Sequence, residues 1–217
     1  MKQSFPTLYL FNNVFFPQTV IPLTVNDQVS KGILMSCFED GQHILFYHPS
    51  LREKRIGTVG RILLLELNDD ESMTVLVQGV TRVKLLTQEQ HLPFPVFQAE
   101  DYFDQNIQTT VLEDSLERLQ VVLETWLERH IVSTKERERF LKEVNTPLRL
   151  INNLCLLVLK DLELKEIFLE NRSLSERIRM MDALLRGKSP ETEDGNMCEA
   201  IKNFERLEPD PNLKNAI

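Results

Sequence analysis

The sequence predicts an α+β chain: a small closed or half-closed β-barrel, followed by a bundle of helices. Two observations carry this. Up to about residue 104, short apolar runs alternate with Asn, Asp, Gly and Pro turn residues; beyond it, apolar residues recur at steps of three and four. Length agrees, because 217 residues with 42% hydrophobic and 27% charged side chains suit one large or two small folded domains.

The first half reads as strands around one helix. Residues 8–10 and 20–25 are short apolar runs, separated by Asn12-Asn13 and Phe16-Pro17. Over residues 27–38 the period becomes helical, with Val29, Ile33, Cys37 and Phe38 near one face. Residues 44–47 form a strand, and residues 52–55 a charged loop. Residues 58–67 and 73–78 flank Asn68-Asp69-Asp70-Glu71, the polar composition of a hairpin connection. Gly79 then interrupts before a strand at 81–86, the signature of a bulge or tight turn. Pro93 and Pro95 bracket Phe94, and residues 96–100 give a last, edge-like strand.

The second half reads as helices. Leu112, Leu116, Leu119, Leu123, Trp126 and His130 make one stripe. Ser133 with Glu136 has capping-box spacing and opens a second helix through Val144. Thr146-Pro147 sets a capping hydroxyl before a proline at the first helical position and opens a third helix over 148–159. A short fourth helix covers 163–170. Ser173 with Glu176 caps a fifth, which carries Leu174, Ile178, Met181 and Leu185 and stops at Gly187. From Lys188 onward Ser, Pro, Glu, Asp and Gly dominate, as in a mobile tail. Within it Met197, Ala200, Ile201, Phe204 and Leu207 keep the spacing of a short docking helix.

Composition excludes several classes. The net charge is −8, and acidic residues outnumber basic ones in each of 1–100, 101–187 and 188–217, a poor basis for capturing nucleic acid through its phosphates. Seven glycines argue against phosphate-cradling loops, and no G-x-x-x-x-G-K-[ST] occurs. Cys37, Cys155 and Cys198 form no C-x-x-C pair, which fits a reducing compartment better than a disulfide framework or a zinc site. The longest apolar stretch, 154–159, is far short of the ~20 residues of a membrane span. Breaks at Pro6, Asn12, Asn13 and Pro17 disqualify a signal peptide. A cytoplasmic location is expected, with no membrane association.

Three stretches carry a family resemblance. Residues 8–23 (LYLFNNVFFPQTVIPL) resemble the opening strand pair of the substrate-binding domain of Lon-type ATP-dependent proteases. Residues 56–86 are similar to that family's second signature: a Gly57-Thr58-Val59 start, acidic Asp69-Asp70, an apolar strand at 75–77, and a Gly79-Val80-Thr81-Arg82 step. Residues 165–186 (KEIFLENRSLSERIRMMDALLR) look like its paired helices. The Arg-Tyr pair often found after the first Pro-Leu is replaced by Thr24-Val25-Asn26-Asp27.

The resemblance covers about residues 5–187. It implies a PUA-like barrel of about six strands plus one or two helices over 1–104, a helical bundle over 105–187, and an acidic tail over 188–217. With neither the nucleotide loop nor a peptidase domain in this sequence, the expectation is a free-standing, non-catalytic module. It would recognise exposed apolar segments of unfolded or partly folded polypeptides and serve as an adaptor or regulator of a protease system. No catalytic residue, metal or cofactor is expected; the oligomeric state is left open. The alternative is RNA binding, a common role of PUA-like barrels.

Candidate peptide-binding residues are Phe15 and Phe16 before Pro17, and Phe94 and Phe97 near the two prolines. Each pair has two readings: core filling, or an exposed apolar crevice that takes peptide. His43, His48, His91 and His130 match no metal-ligand spacing. Gly57 and Gly60 read as a turn or as close strand packing. Arg52, Lys54, Arg55 and Arg61 form the one basic cluster of the first half, by default a solvated loop. No G-x-S-x-G, S-x-x-K or H-E-x-x-H occurs.

Overall fold

The computed structural model describes residues 2–50, 53–105 and 112–186. Strands β1 (Lys2–Tyr9) and β2 (Val20–Val25) precede helix α1 (Gln28–Glu39), which strands β3 (Ile44–Tyr47), β4 (Ile56–Leu67), β5 (Met73–Gln90) and β6 (Val96–Asp101) follow. Helices α2 (Glu113–His130), α3 (Thr134–Glu143), α4 (Pro147–Leu157), α5 (Leu162–Glu170) and α6 (Leu174–Leu185) complete the described chain. The class is α+β.

Strand β5 organises the first half. The two strands expected at 73–78 and 81–86 are one 18-residue strand, and Gly79 marks a bulge inside it. Val59 pairs with Thr81 and Gly60 with Gly79, so Val80 is the extra residue. Along one edge β5 pairs with β4; along the other it pairs first with β2 and then with β6. The sheet order is β2-β5-β4-β3-β1-β6, and the β5–β6 pairing closes it into a barrel. The last strand is therefore not an edge, since β6 pairs with both β1 and β5. The strand paired on one side is β2, where Pro22 is tolerated because an edge strand can lack one ladder N–H.

Strand β3 is buried on both faces. Ile44 and Phe46 join a core with Ile33, Leu34 and Cys37 of α1; Leu45 and Tyr47 join a second with Val83, Leu85 and Phe97. The face of α1 differs from the expected one: Val29 and Phe38 are exposed and Leu34 is fully buried, because the helix lies flat on the sheet along Ile33, Leu34 and Cys37. The Asp27 carboxylate accepts from Ser30 N at 2.8 Å, caps this helix, and is held below its ordinary pKa by that bond.

The helical caps form as the sequence predicts. Ser133 accepts from Glu136 N, Thr146 from Arg149 N and Ser173 from Glu176 N, while Asp161 caps α5 through Leu164 N. In α2 the buried stripe is Leu119, Leu123 and Leu127; His130 is exposed and stacks on Trp126 at 4.1 Å. The bundle core also takes in Val14, Phe16 and Ile56 from the strand half. The expected tail and its docking helix lie outside the described residues.

Candidate functional site

The segment 13–17 joins β1 to β2 and crosses between the two halves. Its successive side chains therefore point into two different cores. Val14 and Phe16 enter the bundle core, whereas Phe15 enters the barrel core and meets Phe46 edge-on at 5.3 Å. The backbone is tied on every side. Thr58 donates to the Phe15 carbonyl at 2.6 Å, Thr19 to that of Phe16 at 2.8 Å, and Asn152 of α4 to that of Pro17 at 2.8 Å. Gly79 backs this turn so closely that a Cβ there would sit 2.3 Å from the Phe16 oxygen.

Phe15 and Phe16 are 2% and 1% exposed, and Phe97 is 5% exposed in the second barrel core. Of the two readings of these three rings, core filling is the one the structure shows and the exposed crevice is corrected: each is interior, because the sheet or the bundle covers it. Phe94 is half-buried beside the core around α1, and its carbonyl accepts from Gln90 Nε2 at 3.1 Å.

Behind this turn lies a buried polar seam. Arg82 Nη1 donates to the carbonyls of Leu169 at 2.6 Å and Asn171 at 2.9 Å, at the negative end of α5. Its Nη2 and that of Arg177 both donate to Asp104 Oδ1, and Arg177 also reaches Asn152 Oδ1. Tyr102 lies under Arg82 and Arg172 and donates to the Glu170 carbonyl at 2.8 Å. Burial, then repulsion from Arg177, lowers the Arg82 pKa to about 10 against the pull of Asp104, which leaves it charged at neutral pH. Nearby, Lys165 donates to Asn13 Oδ1 at 3.0 Å, and His48 Nδ1 lies 2.6 Å from Glu166 Oε1. The seam thus joins β5, the segment after β6, α4, α5 and α6.

Apolar exposure lies elsewhere. An open groove of about 450 Å³ runs between α1 and the β4–β5 turn, with Met35, Leu67 and Met73 as its apolar lining and Lys31 and Glu71 at its rim. Gly32 also lines it, and no atom lies within 4 Å of where a Cβ would stand, so the helix surface is open there. Met35 is 39% exposed and Leu67 63%. Lys31 Nζ donates to the Glu71 carbonyl at 2.5 Å and ties the helix to the turn. The turn is braced: Ser72 N and Oγ both donate to Asp70 Oδ1, Glu71 takes φ 63°, and Asn68 Nδ2 reaches Ser72 and Thr74. Around the corner, a second bulge makes Leu63 the extra residue beside Leu64, and both are exposed on the outer sheet face near Leu76 and Pro22.

Such a groove can seat one or two apolar side chains of an extended segment, with Lys31 and Glu71 for backbone polar groups. The buried thiols are not poised nucleophiles. Burial, aided by Asp40, pushes Cys37 up to about 11, and burial raises Cys155 further. Among the described residues no three His, Cys, Asp or Glu side chains could hold a metal ion, and no helix is long and apolar enough to cross a membrane. Arg55 donates to the Leu86 carbonyl and Arg61 to Gln78; they stand six positions apart, about 20 Å of extended chain, with Arg55 just before β4 and Arg61 within it. Arg52 lies outside the described residues.

Comparison with known proteins places this geometry. Residues 4–186 match the family described as the ATP-dependent protease La (LON) substrate-binding domain. The chain belongs to this family. Lon protease 2 of Myxococcus xanthus is 26% identical over 202 residues, 87% of this chain and 24% of that protein. Lon protease of Anaeromyxobacter dehalogenans is 26% identical over 84% of the chain and 23% of its own length. The chain thus spans about a quarter of these curated relatives, and the region they share is the substrate-binding part rather than the catalytic one.

Two solved structures share the fold. The N-terminal domain of Mycobacterium avium complex Lon protease superposes with a TM-score of 0.64 at 18% identity, covering 82% of this chain and 96% of that one. A Lon N-terminal domain protein from Xanthomonas campestris gives 0.59 at 16% identity, covering 83% and 98%. Within the family frame, the Gly79-x-x-Arg82 step becomes intelligible. Gly79 admits the Phe16-Pro17 turn, and Arg82 anchors the bundle. The sequence reading missed the groove between α1 and the β4–β5 turn. Its one local signal was Gly32, a glycine inside a helix with no turn to justify it.

Proposed function

We propose that this chain is a non-catalytic, cytoplasmic protein-binding module that recognises exposed apolar segments of unfolded polypeptides as an adaptor or regulator of proteolysis. The observation that carries the reading is the match of residues 4–186 to a substrate-binding domain family. The groove beside Met35, Leu67 and Met73 supports it by offering apolar surface at a braced, rigid edge. In this reading the barrel of 1–104 and the bundle of 105–187 act as one body, held by the Arg82 seam, and the groove engages the client. The runner-up, RNA binding, draws less support, since Arg55 and Arg61 stand far apart and each is already hydrogen-bonded.

Fluorescence anisotropy with a labelled, reduced and carboxymethylated polypeptide tests the reading. Saturable binding that weakens at least about tenfold in Met35→Glu/Leu67→Glu is expected, as ~1.4 kcal/mol of lost apolar burial requires. No binding by the unmodified chain, or binding indifferent to both changes, removes the groove from the proposal. Casein incubated with the chain, with and without ATP, should remain uncleaved.

A further inference from the structure

A second groove lies on the helical half, and the chain leaves the described fold beside it. At the end of α6, Arg186 donates to Asp182 at 2.6 Å, and the same carboxylate accepts from Ser115 and Arg118 in the first turns of α2. The chain therefore passes Arg186 against the start of α2. One face further round α2, an open groove of about 440 Å³ has Leu116, Leu123, Leu141 and Leu150 as apolar lining. Glu113 and Glu117, both exposed and four residues apart, stand along its rim. Four residues is one helical turn, so both carboxylates project on the same side.

Residues 187–217 lie outside the described residues, and their sequence matches this groove twice. Met197, Ala200, Ile201, Phe204 and Leu207 recur at helical spacing, and Lys202 and Arg206 are again four apart. We propose that residues 197–207 dock in this groove as an amphipathic helix of the same chain, with the apolar stripe over Leu116, Leu141 and Leu150 and with Lys202 and Arg206 opposite Glu117 and Glu113. Residues 187–196 supply the reach, since ten extended residues span up to about 33 Å and α2 begins beside Arg186. Glu199 and Glu205 balance the segment's net charge, so the match rests on position: Lys202 and Arg206 stand four residues apart, as Glu113 and Glu117 do on the groove rim. It is independent of the polypeptide-binding reading, which concerns the opposite half.

Amide hydrogen exchange on the full chain tests the proposal. A short tether holds the segment at an effective concentration near the millimolar range, so a groove affinity of about 0.1 mM protects its amides about tenfold. That protection at 197–207 is expected in the unmodified chain. It should disappear in Glu113→Lys/Glu117→Lys and in Lys202→Glu/Arg206→Glu, and return when the four changes are combined. Phe204→Ser, which alters no residue of the barrel or bundle, should abolish it as well. An unprotected segment overturns the proposal. So does protection indifferent to the groove changes, or failure of the combined variant to restore it. Protection that grows with protein concentration assigns the groove to a second copy's segment and overturns docking within one chain.

Discussion

The seam around Arg82 and the groove beside Met35 divide the work of this molecule. The seam is polar, mostly buried and crowded: five segments, β5, the stretch after β6, α4, α5 and α6, send donors and acceptors into the cluster of Arg82, Arg177 and Asp104. The groove is open and apolar, lined by one helix and one turn, with a bare glycine at its side. Of the Gly79-Val80-Thr81-Arg82 step, Arg82 lies in the seam and Gly79 beside it, against the Phe16-Pro17 turn. That step ties the strand half to the helical half, while the groove has no sequence motif of its own.

Replacing Phe16 by Ala should break the seam side of this contrast most severely. A ring 1% exposed, shared between turn and bundle, loses about 4 kcal/mol on truncation, measured by urea unfolding. Peptide affinity, measured where the variant is still folded, should not change; a parallel loss of affinity would return Phe16 to the binding surface.

Arg82→Ala is expected to cost about 3 kcal/mol, because it strips the buried Leu169 carbonyl and the half-buried Asn171 carbonyl of their donor and takes a charged partner from Asp104. Arg82→Lys should recover part of this, since one ammonium cannot serve both the carbonyls and Asp104. A thermal melt within about 2 °C of the unmodified protein would show the seam to be decorative.

Asp182 sharpens the comparison through pH. Burial alone would raise its pKa, but hydrogen bonds from Arg118, Arg186 and Ser115 more than reverse this and hold it well below the ordinary aspartate range. A lowered folded-state pKa contributes stability above the unfolded value of about 3.9, and that stability is lost as pH falls below it. Unfolding free energy should therefore decline between about pH 4 and pH 2. Asp182→Asn should be less stable at neutral pH and show a shallower decline; an unchanged slope would place the acid sensitivity elsewhere.

The smallest effect on stability belongs to the groove. Met35→Glu and Leu67→Glu, at partly exposed positions, should each shift unfolding by no more than about 0.5 kcal/mol, read by the same urea titration. Their effect should fall on polypeptide affinity instead. A large loss of stability would mean that the groove wall is core and not a surface.

Local chemistry made much of the fold legible. The caps at Ser133, Thr146 and Ser173, the acidic turn at 68–71 and the change of period near 104 are properties of neighbouring residues, and each appears where the sequence puts it. Gly79 was legible as a bulge or a tight turn, but not as which of the two. That choice depends on β4, which pairs on both sides of Gly79 with a shift of register, whereas the β2 ladder stops at Gln78. Phe15 and Phe16 show the limit more sharply. Their apolar, paired character was plain, yet their burial depends on α4 and on Phe46, residues 30 to 140 positions away.

By itself the sequence determined the two-part architecture, the helix ends and the family, because capping, periodicity and signature residues are written within a few positions of one another. The tertiary structure alone decided that β6 closes the barrel, that Arg82 meets Asp104 and the end of α5, and that the open apolar surface lies beside Gly32 instead of at the phenylalanines. The reason is physical. Exposure is what remains after every other element has covered its neighbour, so it cannot be read from an apolar residue until the element that covers it is in place.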